Sequence, residues 1–139
     1  MIRLTRAYHF CASHRLNVPQ FTVEQNQQLF GKCNNPYGHG HNYRVEIGVR
    51  GEVDSATGRV VDLAALDKIV DERVVKYFDH RYINEDIAEF KDRIATTEVL
   101  GEVIQERLLA VWPVNFPRLL DIRIQETKRN QFVIPSSEQ

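Results

Sequence analysis

His39 and His41 stand two residues apart in Cys33-Asn34-Asn35-Pro36-Tyr37-Gly38-His39-Gly40-His41, and a third histidine, His14, lies upstream in Ala12-Ser13-His14-Arg15. In extended backbone the side chains alternate faces with a rise of about 3.3 Å per residue, so His39 and His41 point the same way and can share one ion. Gly38 and Gly40 carry no Cβ, which lets the chain bend and the imidazoles converge. Three neutral imidazoles suit Zn²⁺, and three protein ligands rather than four leave a position open for water or substrate. Such an ion has no redox activity and works by polarising what it binds. Cys33 places a thiol beside it. A free cysteine, with a pKa of about 8.5, is mostly protonated near neutrality, and a neighbouring cation brings it towards about 7. A thiolate next to a Lewis acid is equipped to take a proton from carbon.

Elements must exist to hold these groups, and length and composition bound them. The chain has 139 residues, enough for one domain with a single core, here residues 1–139. A hydrophobic fraction of 42% and a charged fraction of 27% are those of a globular protein, and a net charge of −1 leaves no footprint for nucleic acid. Met1 to Arg6 holds no apolar run of signal-peptide length, and no stretch approaches a membrane span. The expected compartment is the cytoplasm, where Cys11 and Cys33 stay reduced.

Alternation predicts a strand from about Ile2 to Cys11, with Ile2, Leu4, Tyr8 and Phe10 on one face, and a second from Tyr43 to Val53. Cys11, on an apolar strand, reads as a small core residue. Between the strands, Asn17 to Lys32 is a polar excursion with a helical turn around Val23 to Phe30 that delivers Cys33. Val60 and Val61 resume a short strand, and Asp62 caps a helix with the stripe Leu63, Leu66, Ile69, Val70 and Val74. Thr96 or Thr97 caps a second helix through Val111, stopped by Pro113. Leu120 to Gln125 and Gln131 to Ile134 make strands three and four. The fold class is α+β, a four-stranded antiparallel sheet with two helices on one face. Its bare edges and second face call for oligomerisation.

The chain resembles the 6-pyruvoyltetrahydropterin synthase family at Phe10–Leu16, Phe30–Tyr43, Gly51–Leu66, Phe78–Arg81, Thr96–Glu98 and Gln125–Thr127. The resemblance implies a tunnelling fold, in which three subunits close a twelve-stranded barrel and two trimers stack as a homohexamer with active sites between subunits. It implies conversion of 7,8-dihydroneopterin triphosphate to 6-pyruvoyltetrahydropterin with loss of triphosphate, a carbon–oxygen lyase reaction using zinc and Mg²⁺. His14, His39 and His41 match the zinc ligands; Cys33 matches the general base, and Asp79 and His80 the pair that assists it. Glu126 matches the pterin anchor, and Thr97 falls in the matched segment as a substrate-binding residue, although on residue type alone it is a helix cap. Arg15, Lys32, Lys128 and Arg129 are the cations available to a triphosphate. Five residues separate Cys33 from His39, as in the pyruvoyl enzymes; the 6-carboxytetrahydropterin synthases of the queuosine pathway, the alternative, have a shorter gap. A further alternative is a non-catalytic pterin- or zinc-binding relative. Ala95 and Val99 depart from residues frequent in relatives and bear on substrate preference.

Overall fold

A computed structural model describes residues 1–136. β1 (Ile2–His14) and β2 (His39–Gly51) form a long antiparallel hairpin joined by the polar excursion, which carries helix α1 (Val23–Phe30) and a 3₁₀ turn over Gly31–Asn34. Helix α2 (Leu63–Val70) runs through a π-helical stretch, Asp71–Val75, into α3 (Lys76–Phe78). A short β3 (Arg81–Tyr82) and α4 (Ile83–Asp86) follow, then α5 (Thr97–Leu109), β4 (Arg118–Thr127) and β5 (Asn130–Pro135). The sheet order is β3-β1-β2-β4-β5, antiparallel except that β3 pairs parallel with Ala12 and Ser13 of β1.

The α+β architecture with helices against one sheet face stands as expected. The fifth strand is new: two residues carry no periodicity to read. β1 and β2 also extend further than Cys11 and Tyr43, because His14 pairs with His39 and Ala12 with His41, so the histidines lie on strand ends rather than in a preceding loop. Val60 and Val61 form bends, not a strand, with Val61 buried in the core. The second helix ends at Leu109, before Pro113.

Alternation decides which face is covered. Tyr8, Phe10, Tyr43, Val45, Ile47, Ile122 and Ile124 point to the helices and are buried together with Leu66, Val70, Phe78, Leu100 and Ile104. Burying each such side chain stabilises the fold by about 1.5–3 kcal/mol before entropy is counted. α5 approaches the sheet so closely that a Cβ on Gly101 would collide with the Ile134 side chain. The opposite face carries Thr5, Ala7, His9 and Cys11, all exposed. Cys11 therefore is not a core residue: with Phe10 inward its phase is outward, and its thiol donates to Asn42 Oδ1 at 2.7 Å. Among the described residues no helix is long and apolar enough to cross a membrane.

Candidate active site

Register builds the histidine cluster. His14 and His39 are direct cross-strand partners, and His41, two residues along β2, shares their face opposite the small Ala12. The rings close to centroid separations of 4.6 Å (His14–His39), 5.1 Å (His14–His41) and 4.8 Å (His39–His41). Gly38 turns the chain into β2 with φ of 74°, and a Cβ there would meet the His14 carbonyl oxygen and the Tyr82 ring at 3.0 Å. Gly40 has ordinary room and no such demand.

His14, 1% exposed, has Nδ1 2.7 Å from the Ala95 carbonyl oxygen. That contact fixes Nδ1 as the protonated nitrogen and leaves Nε2 as the ligating atom. His14 Nε2 lies 3.1 Å from His39 Nε2. Burial, with the neighbouring rings adding, holds His39 below the usual histidine range; burial also lowers His41, against the opposing charge of Glu126. Neutral imidazoles are the form a metal needs.

Glu126 completes the group. Its Oε1 is 2.9 Å from His41 Nε2 and 3.5 Å from His14 Nε2. One ligand atom from each of His14, His39, His41 and Glu126 lies within 4.8 Å of the others, the one such cluster of metal-binding type among the described residues. Three imidazoles converging on strand ends fit a zinc ion, with the Glu126 carboxylate beside them. The carboxyl of Glu126 is held below its ordinary range, by His14 foremost and also by Thr97 and His41. His41 is the closer ring, yet the deeply buried His14 weighs more on Glu126.

Cys33 reaches the same place by a different route. Thr22 caps α1 in a reciprocal box with Gln25, and the buried Asn26 amide ties the helix start to Val18. Asn34 donates to the Leu16 carbonyl at 2.7 Å, Leu16 N–H donates to the Cys33 carbonyl at 2.9 Å, and Arg15 Nε donates to the Asn34 carbonyl. The excursion is thus laced to the chain just beyond β1, and Cys33 opens into a cavity of about 620 Å³ shared with Lys32, His39 and His41. Burial pushes the Cys33 thiol up, and the Glu126 charge adds to it.

Asp79 and His80 lie elsewhere. Asp79 Oδ1 accepts from Cys11 N–H at 2.9 Å, His80 N–H donates to the Cys11 carbonyl at 2.6 Å, and the two side chains meet at 2.8 Å between Oδ2 and Nδ1. His80 is the one non-glycine residue with positive φ among those described, at 58°, and its side chain is 81% exposed. His80 lines a second cavity of about 350 Å³ with Cys11, Ser13, Asn42 and Arg81; the two cavities share only His41.

Thr96, not Thr97, caps α5, its hydroxyl accepting from Val99 N–H at 3.3 Å. Thr97 is left 2% exposed, with its Oγ1 unpaired. Tyr43, fully buried, stacks on Phe10 and lies 5.6 Å from the His41 ring, and its hydroxyl is also unpaired. Neither Tyr43 nor the approach of Glu126 to the histidines was read from sequence. The signal was there in the register: Arg44 pairs with Gln125, so one step further Tyr43 opposes Glu126.

Comparison with known proteins joins these observations. The model of a family described as 6-pyruvoyl tetrahydropterin synthase matches residues 3–136. The 6-pyruvoyl tetrahydrobiopterin synthase of Poecilia reticulata is 42% identical over 127 residues, covering 91% of this chain and 85% of that protein. The human 6-pyruvoyl tetrahydrobiopterin synthase is 42% identical over 128 residues, covering 92% and 87%. The solved structure of Caenorhabditis elegans 6-pyruvoyl tetrahydropterin synthase superposes with a TM-score of 0.89 at 36% identity, covering 98% of this chain and 96% of that one.

Proposed function

This chain belongs to the 6-pyruvoyl tetrahydropterin synthase family, and from that premise we propose that it is a zinc-dependent lyase converting 7,8-dihydroneopterin triphosphate to 6-pyruvoyltetrahydropterin and triphosphate. The observation that carries the reading is the convergence of His14, His39 and His41 at the ends of two paired strands, with Cys33 in the same cavity. His14, His39 and His41 would hold the ion; bound there, zinc supplies Lewis-acid polarisation of the substrate's side-chain hydroxyls and acidifies the adjacent C–H bonds. Cys33 takes the carbon-bound proton as general base, and Glu126 accepts the parallel N–H bonds of the pterin's amino group and ring, with Thr97 beside it. Lys32, which lines the Cys33 cavity, and Arg15, which bonds its loop, are cations for the triphosphate, which Mg²⁺ accompanies.

Asp79 and His80 serve a Cys33 of another subunit. The separation of the two cavities in one chain supports this, because the pair faces the exposed side of the sheet at its edge while Cys33 faces the helix side. The reading includes a trimer closing a barrel through the uncovered strand edges, paired as a hexamer, in the cytoplasm.

The test is product analysis by mass spectrometry after anaerobic incubation of the zinc-loaded protein with 7,8-dihydroneopterin triphosphate, alongside Cys33→Ala. Triphosphate release with the 6-pyruvoyl product, lost in the variant, is expected. Acetaldehyde with a 6-carboxy product moves the chain to the other branch of the family, and no turnover leaves a binding role.

A further inference from the structure

We infer that the buried hydroxyls of Tyr43 and Thr97 are a receiving pair for the Glu126 carboxylate, which transfers to them from His14 and His41 when those histidines present Nε2 to an ion. The inference rests on the metal-site reading above and deepens it by assigning two positioning residues.

Three observations lead here. First, Glu126 Oε1 rests against His41 Nε2 at 2.9 Å and His14 Nε2 at 3.5 Å. For His14 this is the atom an ion takes, since its Nδ1 is committed to the Ala95 carbonyl, and His41 Nε2 points into the same cluster. An imidazole that ligates through Nε2 has no N–H there, so neither ring can then donate to the Glu126 carboxylate beside it. A carboxylate only 15% exposed must then ligate as well or find other donors.

Second, two donors stand unpaired beside it. Tyr43 OH and Thr97 Oγ1 are both shielded from solvent and make no hydrogen bond. Buried hydroxyls without partners are uncommon because each forfeits its bonds to water. Phenylalanine at position 43 would keep the stacking on Phe10 and Thr97 is not needed as a cap, so packing and helix formation explain neither hydroxyl.

Third, the placement is right. Arg44 pairs with Gln125 in the β2–β4 ladder, which sets their neighbours Tyr43 and Glu126 at the same end of the two strands, and Thr97 is the first residue of α5. Thr97 lies close to both the Glu126 carboxylate and the Tyr43 hydroxyl without bonding either. A carboxylate moved to this pair keeps its charge satisfied and its outer lone pairs free for a substrate's N–H groups. Glu126 can thus serve as an anchor only after leaving the histidines.

The experiment uses the full chain, stripped with chelator or loaded with zinc, as Tyr43→Phe, Thr97→Val, Thr97→Ser and Glu126→Gln. Zinc affinity is measured by competition with a chromophoric chelator, thermal stability is measured in both forms, and the visible spectrum is recorded after cobalt substitution. Stripped Tyr43→Phe should melt at or above the parent temperature, because its hydroxyl has no partner to lose. Its zinc affinity should fall about tenfold, with a smaller zinc-induced rise in Tm. Thr97→Val should behave likewise and Thr97→Ser should restore the parent values. The cobalt spectrum of Glu126→Gln should match the parent, since the carboxylate is off the ion. Unchanged zinc affinity in both Tyr43→Phe and Thr97→Val overturns the receiving pair. So does an altered cobalt spectrum in Glu126→Gln, which makes Glu126 a ligand. Equal destabilisation of stripped and loaded Tyr43→Phe would mean a structural role and overturns it too. A parent chain that binds no zinc defeats the metal-site reading itself, a result distinct from all of these.

Discussion

The loop that carries Cys33 and the corner that carries Asp79 and His80 are built on opposite terms. Cys33 is fixed by buried amides and backbone bonds, shares its cavity with the histidines, and sits where burial and the Glu126 charge disfavour a thiolate. Asp79 and His80 are solvent-facing, paired at 2.8 Å, and anchored to the edge of β1, where the Cys11 N–H holds the Asp79 carboxyl low. One region has a binding cavity beside the histidine cluster; the other has a hydrogen-bonded carboxylate and imidazole and no part of that cluster. The lesson is that the two faces of one sheet hold the two groups of residues apart within a chain, which is why the function proposed above needs a second copy to bring its corner to the first copy's loop.

The strongest test of that division is complementation. Cys33→Ala and His80→Ala should each lower turnover by about 10² to 10⁴. Unfolded and reassembled together, they should recover about a quarter of parental activity, since random assortment pairs intact halves at that frequency. Recovery no better than either variant alone would place both halves in one chain.

Zinc content should divide along the same line. His14→Ala or His39→Ala should weaken zinc binding by at least about a hundredfold, measured by chelator competition, because one of three converging ligands is gone. Asp79→Ala should retain one equivalent at parental affinity. Loss of zinc there would erase the contrast.

A smaller effect concerns backbone strain. A left-handed, non-glycine conformation costs about 1–3 kcal/mol, so His80→Val should destabilise the fold by about 1–2 kcal/mol in denaturant titration, whereas His80→Gly should stay within about 1 kcal/mol of the parent while losing activity. If Gly and Val behave alike, the corner is not strained.

The mildest expectation is a two-step acid response of chelator-stripped protein, followed by Tm against pH. His39 and His41 are depressed below 6.5, so near that pH the unfolded chain takes protons the folded one refuses, and stability falls as pH drops below 6.5. Glu126 and Asp79 are depressed below 4.5 and 3.8; what they contribute is present above those values and is lost as pH falls through their folded-state range. Zinc loading should deepen the first step, because ligated imidazoles refuse protons to lower pH still, and leave most of the second.

Much of this was legible in the residues. His-Gly-His fixed a shared face, the alternation of Tyr8 and Phe10 with His9 and Cys11 located β1, and Asp62 and the Thr96-Thr97 pair marked helix starts as their capping chemistry requires. What escaped depends on contacts distant in sequence. Ala12-Ser13-His14 has no apolar alternation, so only pairing with His39 shows that β1 continues. Arg81 and Tyr82 are a strand solely because β1 lies alongside. Cys11 looked apolar by company, yet its parity turned it outward. Glu126 could be matched to a family position, but its approach to the histidines needed the β2–β4 register.

The pairing of His14 with His39 also makes the cluster a checksum on the hairpin. The loop between β1 and β2 is long, so turn geometry alone does little to fix how the strands align. A slip of one residue would send one histidine to the far face, and a slip of two would offset the rings along the strand. Only the native alignment assembles the ligands, so an ion captured during folding would selectively retain correctly aligned chains. Metal supply would then act as a proofreading signal for the whole sheet.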